Sequence, residues 1–339
     1  MKTEKYVLCQ LWGILGIGAI LLFGPFAQVQ ANAPIFEDDF GRVSLKDVDR
    51  TKWTTVEGDA ASFGRTVIRN PNIPDVETLG LPQVVPVVPS LEARPDPSDM
   101  TARLRLDTYN PTDHTTHTTL WGSEIDTGHY DKKNNPQNKP IGEPVFDLYD
   151  IAKYPNGICF EADVRIPPET LAQKGLVLSV FAYGLNPGGT TRDEIDFELL
   201  TNLNQTNHNW VFLNYYNNGG FNNNPGELAL QKQVNGLDLS QFNNFKIDLF
   251  QNHIEWLVND TLVYTEPRNN IPQDPMGLRI NIWAPTTGDW PLAGSPDLKP
   301  ALMLGENKPF FYEVKNARVS AITPADSTPP QGFDHEPGE

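Results

Sequence analysis

The stretch Arg192-Asp193-Glu194-Ile195-Asp196-Phe197-Glu198-Leu199-Leu200 alternates acidic and apolar residues. Side chains alternate across a strand, so Glu194, Asp196 and Glu198 fall on one face and Ile195, Phe197 and Leu199 on the other. The apolar face needs a second layer to bury it. The acidic face sets three like charges side by side, which folding stability alone gives no reason to keep. A solvated acidic face is the plain alternative. The neighbouring Leu199-Leu200 argues against it, because the strand reads as central rather than as an edge.

Working outward, period two recurs. Ile158, Phe160, Ala162, Val164 and Ile166 line one face of a half-buried strand; Cys159, Glu161, Asp163 and Arg165 line the other. Ala102–Leu106, Lys246–Phe250, Leu278–Trp283 and Phe311–Val319 read similarly. Leu176–Tyr183 is a continuous apolar run, suited to a strand buried on both faces. Asn259-Asp260 between His253–Val258 and Leu262–Thr265 is a hairpin signal. No window carries a long helical stripe. The residues predict an all-β chain, a sandwich or a barrel.

Composition agrees. The 339 residues are 39% hydrophobic, enough for a real core, with 30 Pro, 26 Gly and only 4 Met. Lys and Arg number 26 against 43 Asp and Glu, a net charge of −17, which disfavours nucleic acid and anionic membrane surfaces as partners. Two cysteines, Cys9 and Cys159, exclude a disulfide scaffold and a Cys-based zinc module. Lys2 and Lys5 precede an apolar run, Tyr6–Phe26, and small residues follow at Ala31 and Ala33, the pattern of an export signal. Cleavage after Ala31 is preferred, since cleavage after Ala33 would leave Pro34 at the new terminus. A retained anchor is the alternative, the run being long enough to span a bilayer. The expected organisation is a signal peptide at 1–31, one catalytic domain at 32–322 with a proline-rich loop at 70–97, and a disordered tail at 323–339. A second loop is expected at Lys132–Pro144.

Paired carboxylates on one strand face suit glycoside cleavage. Retaining hydrolysis needs a nucleophile and an acid/base about 5–5.5 Å apart. Residues i and i+4 on a strand stand about 13 Å apart at Cα, so curvature and inward-leaning side chains must close the gap. A carboxylate between them can hold one Glu by a hydrogen bond and raise the pKa of the other.

Glu194-Ile195-Asp196-Phe197-Glu198 resembles the E-[ILV]-D-x-E signature of glycoside hydrolase family 16, with bacterial lichenases the nearest branch. Further segments follow in the family's order over about residues 100–320. Gly122-Ser123-Glu124-Ile125 resembles its G-x-E-Y element. Val180-Phe181-Ala182-Tyr183 lies at lichenase-like spacing. Asn214-Tyr215-Tyr216-Asn217-Asn218-Gly219 is similar to its N-Y-Y-x-N-G strand end. Ile254–Asp260 is similar to its W-x-V-D-G hairpin, and Asn281-Ile282-Trp283 to its N-L-W strand.

The resemblance implies a jelly-roll β-sandwich of two curved antiparallel sheets, concanavalin-like, with a sugar cleft across the concave sheet. It implies Glu194 as nucleophile, Asp196 as the residue that orients and tunes the pair, and Glu198 as acid/base. It implies sugar contacts at Glu124, Phe181, Asn214, Tyr216, Asn281 and Trp283. Alternation also sets Trp283 on the face of Asn281 and Arg279, whereas Trp53, Trp210 and Trp256 read as core. The single residue between Asp196 and Glu198 matches the unbulged branch; laminarinase-like members carry two. Two positions depart from lichenases. Arg192 stands where they place Trp, and Asp126 where they place Arg. Glu313 replaces a calcium-binding Asp, so a structural calcium is allowed while no cofactor is required. The expectation is a secreted or periplasmic monomer, free of the membrane after signal cleavage, that hydrolyses a β-glucan polysaccharide. A transglycosylase of the same fold and a non-catalytic carbohydrate-binding jelly roll are the rivals. His114 and His117 form an H-x-x-H pair without a nearby Cys, a poor metal site.

Overall fold

Among the described residues sixteen strands form in chain order: β1 (Pro34–Asp38), β2 (Thr54–Thr55), β3 (Gly58–Asp59), β4 (Thr66–Ile68), β5 (Ala102–Asp107), β6 (Leu120–Asp126), β7 (Ile158–Arg165), β8 (Val177–Leu185), β9 (Arg192–Leu200), β10 (Trp210–Gly219), β11 (Leu230–Gln233), β12 (Asn243–Leu249), β13 (Ile254–Val258), β14 (Thr261–Glu266), β15 (Gly277–Trp283) and β16 (Pro309–Ala321). The only α-helix among the described residues is the short α1 (Pro168–Leu171). The computed structural model describes residues 34–40, 52–55, 58–59, 66–68, 101–113, 116–127, 149–185, 191–219, 228–267 and 270–323, all within Asn32–Glu339. The export signal, the 70–97 and 132–144 loops, His114 and the tail beyond 323 lie outside the described residues.

The strands make a two-layer sandwich of curved antiparallel sheets. One layer runs β11-β10-β9-β8-β15-β6, the other β5-β16-β7-β12-β13-β14 with β1 on β16. Among the described residues a single pair, Asp107 with Trp121, links the layers at the β5–β6 edge. The expected jelly roll is therefore the observed architecture. The inner faces meet in one apolar core built from the predicted alternation: Ile195, Phe197 and Leu199 of β9, Leu178, Val180 and Ala182 of β8, and Phe160, Ala162 and Val164 of β7. Phe197 meets Phe245 of β12 edge to face at 5.2 Å between ring centroids. The indole N–H of Trp256 on β13 crosses the core to donate to the backbone carbonyl of Asp196 at 3.0 Å.

Local readings hold closely. Asn259 and Asp260 adopt φ of 50° and 58°, the left-handed pair that a two-residue hairpin requires. Leu176–Tyr183 forms most of β8 and is buried on both faces. Gly184 ends that run because a Cβ there would sit 2.0 Å from the Pro275 carbonyl oxygen. Two readings need correction. The outer face of β7 is not solvated: Cys159 and Glu161 are buried. Arg318 ion-pairs with Glu161, and Asp248 hydrogen-bonds the Cys159 thiol, so neighbouring strands roof that face. Trp210 is half-buried rather than core, because it opens β10 opposite Gln233 of the edge strand β11. Trp53 and Trp256 are fully buried.

Candidate active site

Register carries the acidic face of β9 into cross-strand rows. In one row Tyr216, Glu194 and Tyr183 are neighbours on β10, β9 and β8. In the next, Asn214, Asp196, Phe181, Arg279 and Asp126 follow from β10 to β6. The third runs Phe212, Glu198, Ser179, Asn281 and Glu124. A last row, Leu200, Val177 and Trp283, closes one end. All nine residues singled out in the sequence thus share one face of one sheet. β9 meets β8 in unbroken register from Leu185↔Arg192 to Val177↔Leu200, with no bulge between the acidic residues.

Polar neighbours fix this face. The Arg279 guanidinium pairs with Glu124 and Asp126, each at 2.9 Å, and lies 4.1 Å over the Tyr183 ring. Asn281 donates to Glu124 at 3.0 Å, while its own buried carbonyl oxygen accepts no hydrogen bond among the described residues. The Asn214 carbonyl oxygen accepts from the Ala229 backbone at 3.1 Å. Arg192 approaches Glu194 at 2.5 Å and covers Tyr216 at 4.0 Å. Trp283 packs on Trp290 with centroids 5.9 Å apart, and Trp290 on Phe212 at 5.4 Å, so an aromatic wall stands beside the Glu198 row. Asp193, of opposite parity, is fully buried. Its carboxylate accepts from the backbone N–H of Asn218 at 2.7 Å and of Gln273 and Asp274 at 2.8 Å, which ties the end of β9 to its flanking loops.

Sequence reasoning missed Tyr183, Ser179 and the partners of both arginines. The parity of Phe181 was the available signal for Tyr183 and Ser179. Nothing local marks Tyr216 as the ring beneath Arg192.

The three carboxyl groups meet different surroundings. Glu198 is pushed up to about 8, by burial first and by the charge of Glu194 second. Asp196 is raised well above the usual carboxylate range, by burial first and then by Glu194 and Glu198. Burial also raises Glu194, opposed by Arg192, by a hydrogen bond from Asp196 and by Arg279. Within this hydrogen-bonded pair Asp196 is held the higher, so Asp196 is the more readily protonated partner and Glu194 the more readily ionised. Burial leads the rise of Glu198, and the charge that follows it is that of Glu194.

Glu313 does not suit a cation. Its carboxylate takes two hydrogen bonds from Arg103, at 2.9 and 2.6 Å, and an ion pair from Arg165. Two guanidinium groups already match the charge that calcium would need.

Residues 159–296 match the family described as glycosyl hydrolases family 16. The family segment holds β8, β9, β10 and β15, which carry every residue singled out except Glu124. The beta-glucanase of Bacillus subtilis (strain 168) is 33% identical over 173 residues, 47% of this chain and 64% of that protein. The beta-glucanase of Paenibacillus macerans is 33% identical over 149 residues, 43% and 58% of the two chains. The chain thus spans under two thirds of the length of these curated relatives. Among solved structures, a beta-1,3-1,4-glucanase (lichenase) derived from a mouse hindgut metagenome superposes with a TM-score of 0.54 at 19% identity, covering 85% of this chain and 99% of that one. The Bacillus licheniformis beta-glucanase gives 0.53 at 19% identity, with 86% and 99% covered.

Proposed function

We propose that this protein is a secreted endo-glycosidase that hydrolyses a β-glucan with retention of anomeric configuration. The observation that carries the reading is the acidic face of β9, where Glu194, Asp196 and Glu198 stand side by side in unbroken register with β8 and burial pushes Glu198 up to about 8. Glu194, paired with Arg192, is the nucleophile. Its carboxylate attacks the anomeric carbon while Glu198, protonated below pH of about 8, gives its proton to the departing glycosidic oxygen. The glycosyl–Glu194 ester forms as the glycosidic bond breaks. Glu198, now a carboxylate, takes a proton from water, whose oxygen displaces Glu194 from the anomeric carbon. Both steps use only the two carboxyl groups and water. Asp196 donates to Glu194 and so orients it.

The substrate class rests on the relatives named beta-glucanases. Asn281 and Glu124, with the Trp283–Trp290 wall, offer hydrogen-bond acceptors and an apolar surface, the two features a pyranose needs. Export rests on the Lys2/Lys5 and Tyr6–Phe26 pattern.

Reducing-sugar release from barley glucan, laminarin, xyloglucan and agar tests the activity, and early-time NMR of the new reducing end tests the stereochemistry. Glu194→Gln is expected to lower the rate by at least about three orders of magnitude. An initially inverted anomer sinks the mechanism. Oligosaccharide lengthening in place of hydrolysis assigns a transglycosylase, and sugar binding without turnover assigns a binding module.

A further inference from the structure

Arg192 is the least expected residue on this face. It lies within the strand that carries the carboxyl groups, two positions before Glu194 and on the same side. Its side chain is almost wholly buried, with 8% exposure. Burying a guanidinium is costly unless its charge is matched. The match is Glu194, 2.5 Å away, and the Tyr216 ring holds the guanidinium plane from below at 4.0 Å. The cation is thus held in orientation with its Nε against Oε2 of Glu194.

We propose that Arg192 is a positioning residue that keeps Glu194 ionised and fixes its rotamer, an inference that rests on Glu194 being the nucleophile. Titratable groups act on Glu194 from its own strand and from four others of the sheet. Asp196 and Glu198 share its own strand, Tyr216 comes from β10 and Tyr183 from β8. Glu124 on β6 opposes ionisation, and Arg279 on β15 favours it. Arg279 already serves Glu124 and Asp126 at 2.9 Å, so Arg192 is the cation committed to Glu194. It outranks Asp196 and Arg279 among the influences that favour the carboxylate.

The sign of the effect follows. Arg192 favours the charged form, so removing it raises the pKa of Glu194. Activity then needs a higher pH before the nucleophile is ionised, and the acid limb of the kcat/KM profile moves up. An opposite charge this close is worth about one to three pH units. Arg192 also favours ionised Glu198, after burial and Glu194 in weight, so the alkaline limb moves the same way by less.

The test is the pH profile of Arg192→Met, Arg192→Gln and Arg192→Lys beside the native protein, with melting temperature and near-UV circular dichroism as checks on folding. The pH dependence of covalent labelling by an epoxyalkyl β-glucoside, with the labelled peptide sequenced, reads Glu194 directly. Arg192→Met is expected to move the acid limb and the labelling curve upward by about one unit or more, to lower kcat below pH 6 by about tenfold or more, and to leave KM nearly unchanged. Arg192→Lys, which keeps the charge, should hold the acid limb near the native position while kcat falls from looser aim. Arg192→Gln serves as the neutral variant if the Met variant does not fold. Acid limbs and labelling curves of folded neutral variants that coincide with the native protein overturn the proposal and leave the Glu194 mechanism standing. Label on a residue other than Glu194 overturns the mechanism, and this inference with it.

Discussion

Glu194, Asp196 and Glu198 are all carboxylic acids, two positions apart, yet the fold gives them different surroundings. Glu194 has Arg192 against it. Asp196 is enclosed between two carboxyl groups, and burial together with their charges pushes it well above the usual carboxylate range. Glu198 has burial and a nearby negative charge, and titrates at about 8. This division predicts the outcome of Asp196→Asn. A neutral amide stands in for the protonated form that those neighbours favour and still donates to Glu194, so little charge changes near Glu198. The alkaline limb of the kcat/KM profile should stay within about half a unit of its native position near 8, while kcat falls through altered aim. A limb displaced downward by about one unit or more would show that Asp196 carries charge at working pH. The limbs report the coupled set, not one residue.

At the scale of elements, β9 is held from three directions. β8 and β10 flank it in the sheet, and Trp256 of β13 reaches it through the core. That indole bond ends on the carbonyl of Asp196, the middle of the acidic face. Trp256→Phe removes the donor, leaves the carbonyl without that bond in an apolar interior, and opens a small cavity. It should cost about 1–3 kcal/mol in urea denaturation. Because the anchor lies beneath the carboxyl groups, kcat should fall with little change in KM. Unchanged stability and rate would show that the sheet pairing alone holds β9. The alternation of β9 was plain from the chain, as was the Asn259-Asp260 turn. The outer face of β7 was not, since Arg318 and Asp248, which roof it, come from β16 and β12.

The whole molecule separates its two sheets by task. The β11-β10-β9-β8-β15-β6 layer presents the carboxyl groups, while the other layer is joined by ion pairs of its own. Glu313 on β16 stands in register with Arg103 on β5 and Arg165 on β7, and binds both. Glu313→Gln would leave two guanidinium groups without their counter-charge. It should cost roughly 3 kcal/mol, near the low end because both arginines are partly in water. Thermal melts would show the loss. The kcat of the folded fraction should stay at the native value, since the change lies outside the acidic face. A parallel loss of kcat would mean that the two layers are coupled through the core.

Side-chain alternation is a property of the extended backbone, felt over a few residues. It alone determined that this chain makes strands, that Glu194, Asp196 and Glu198 share a face, and that Ile195, Phe197 and Leu199 turn inward. Family signatures in order along the chain added the sandwich. Protonation and partnership were decided only in three dimensions. Burial that lifts Glu198 to about 8 comes from strands far apart in sequence. Arg279 reaches Asp126, 153 positions away, because β15 and β6 align those two residues, and Arg192 rests on Tyr216 because β9 and β10 do the same for their own faces. Register and burial are sums over distant segments of the chain, and no local window of sequence contains them.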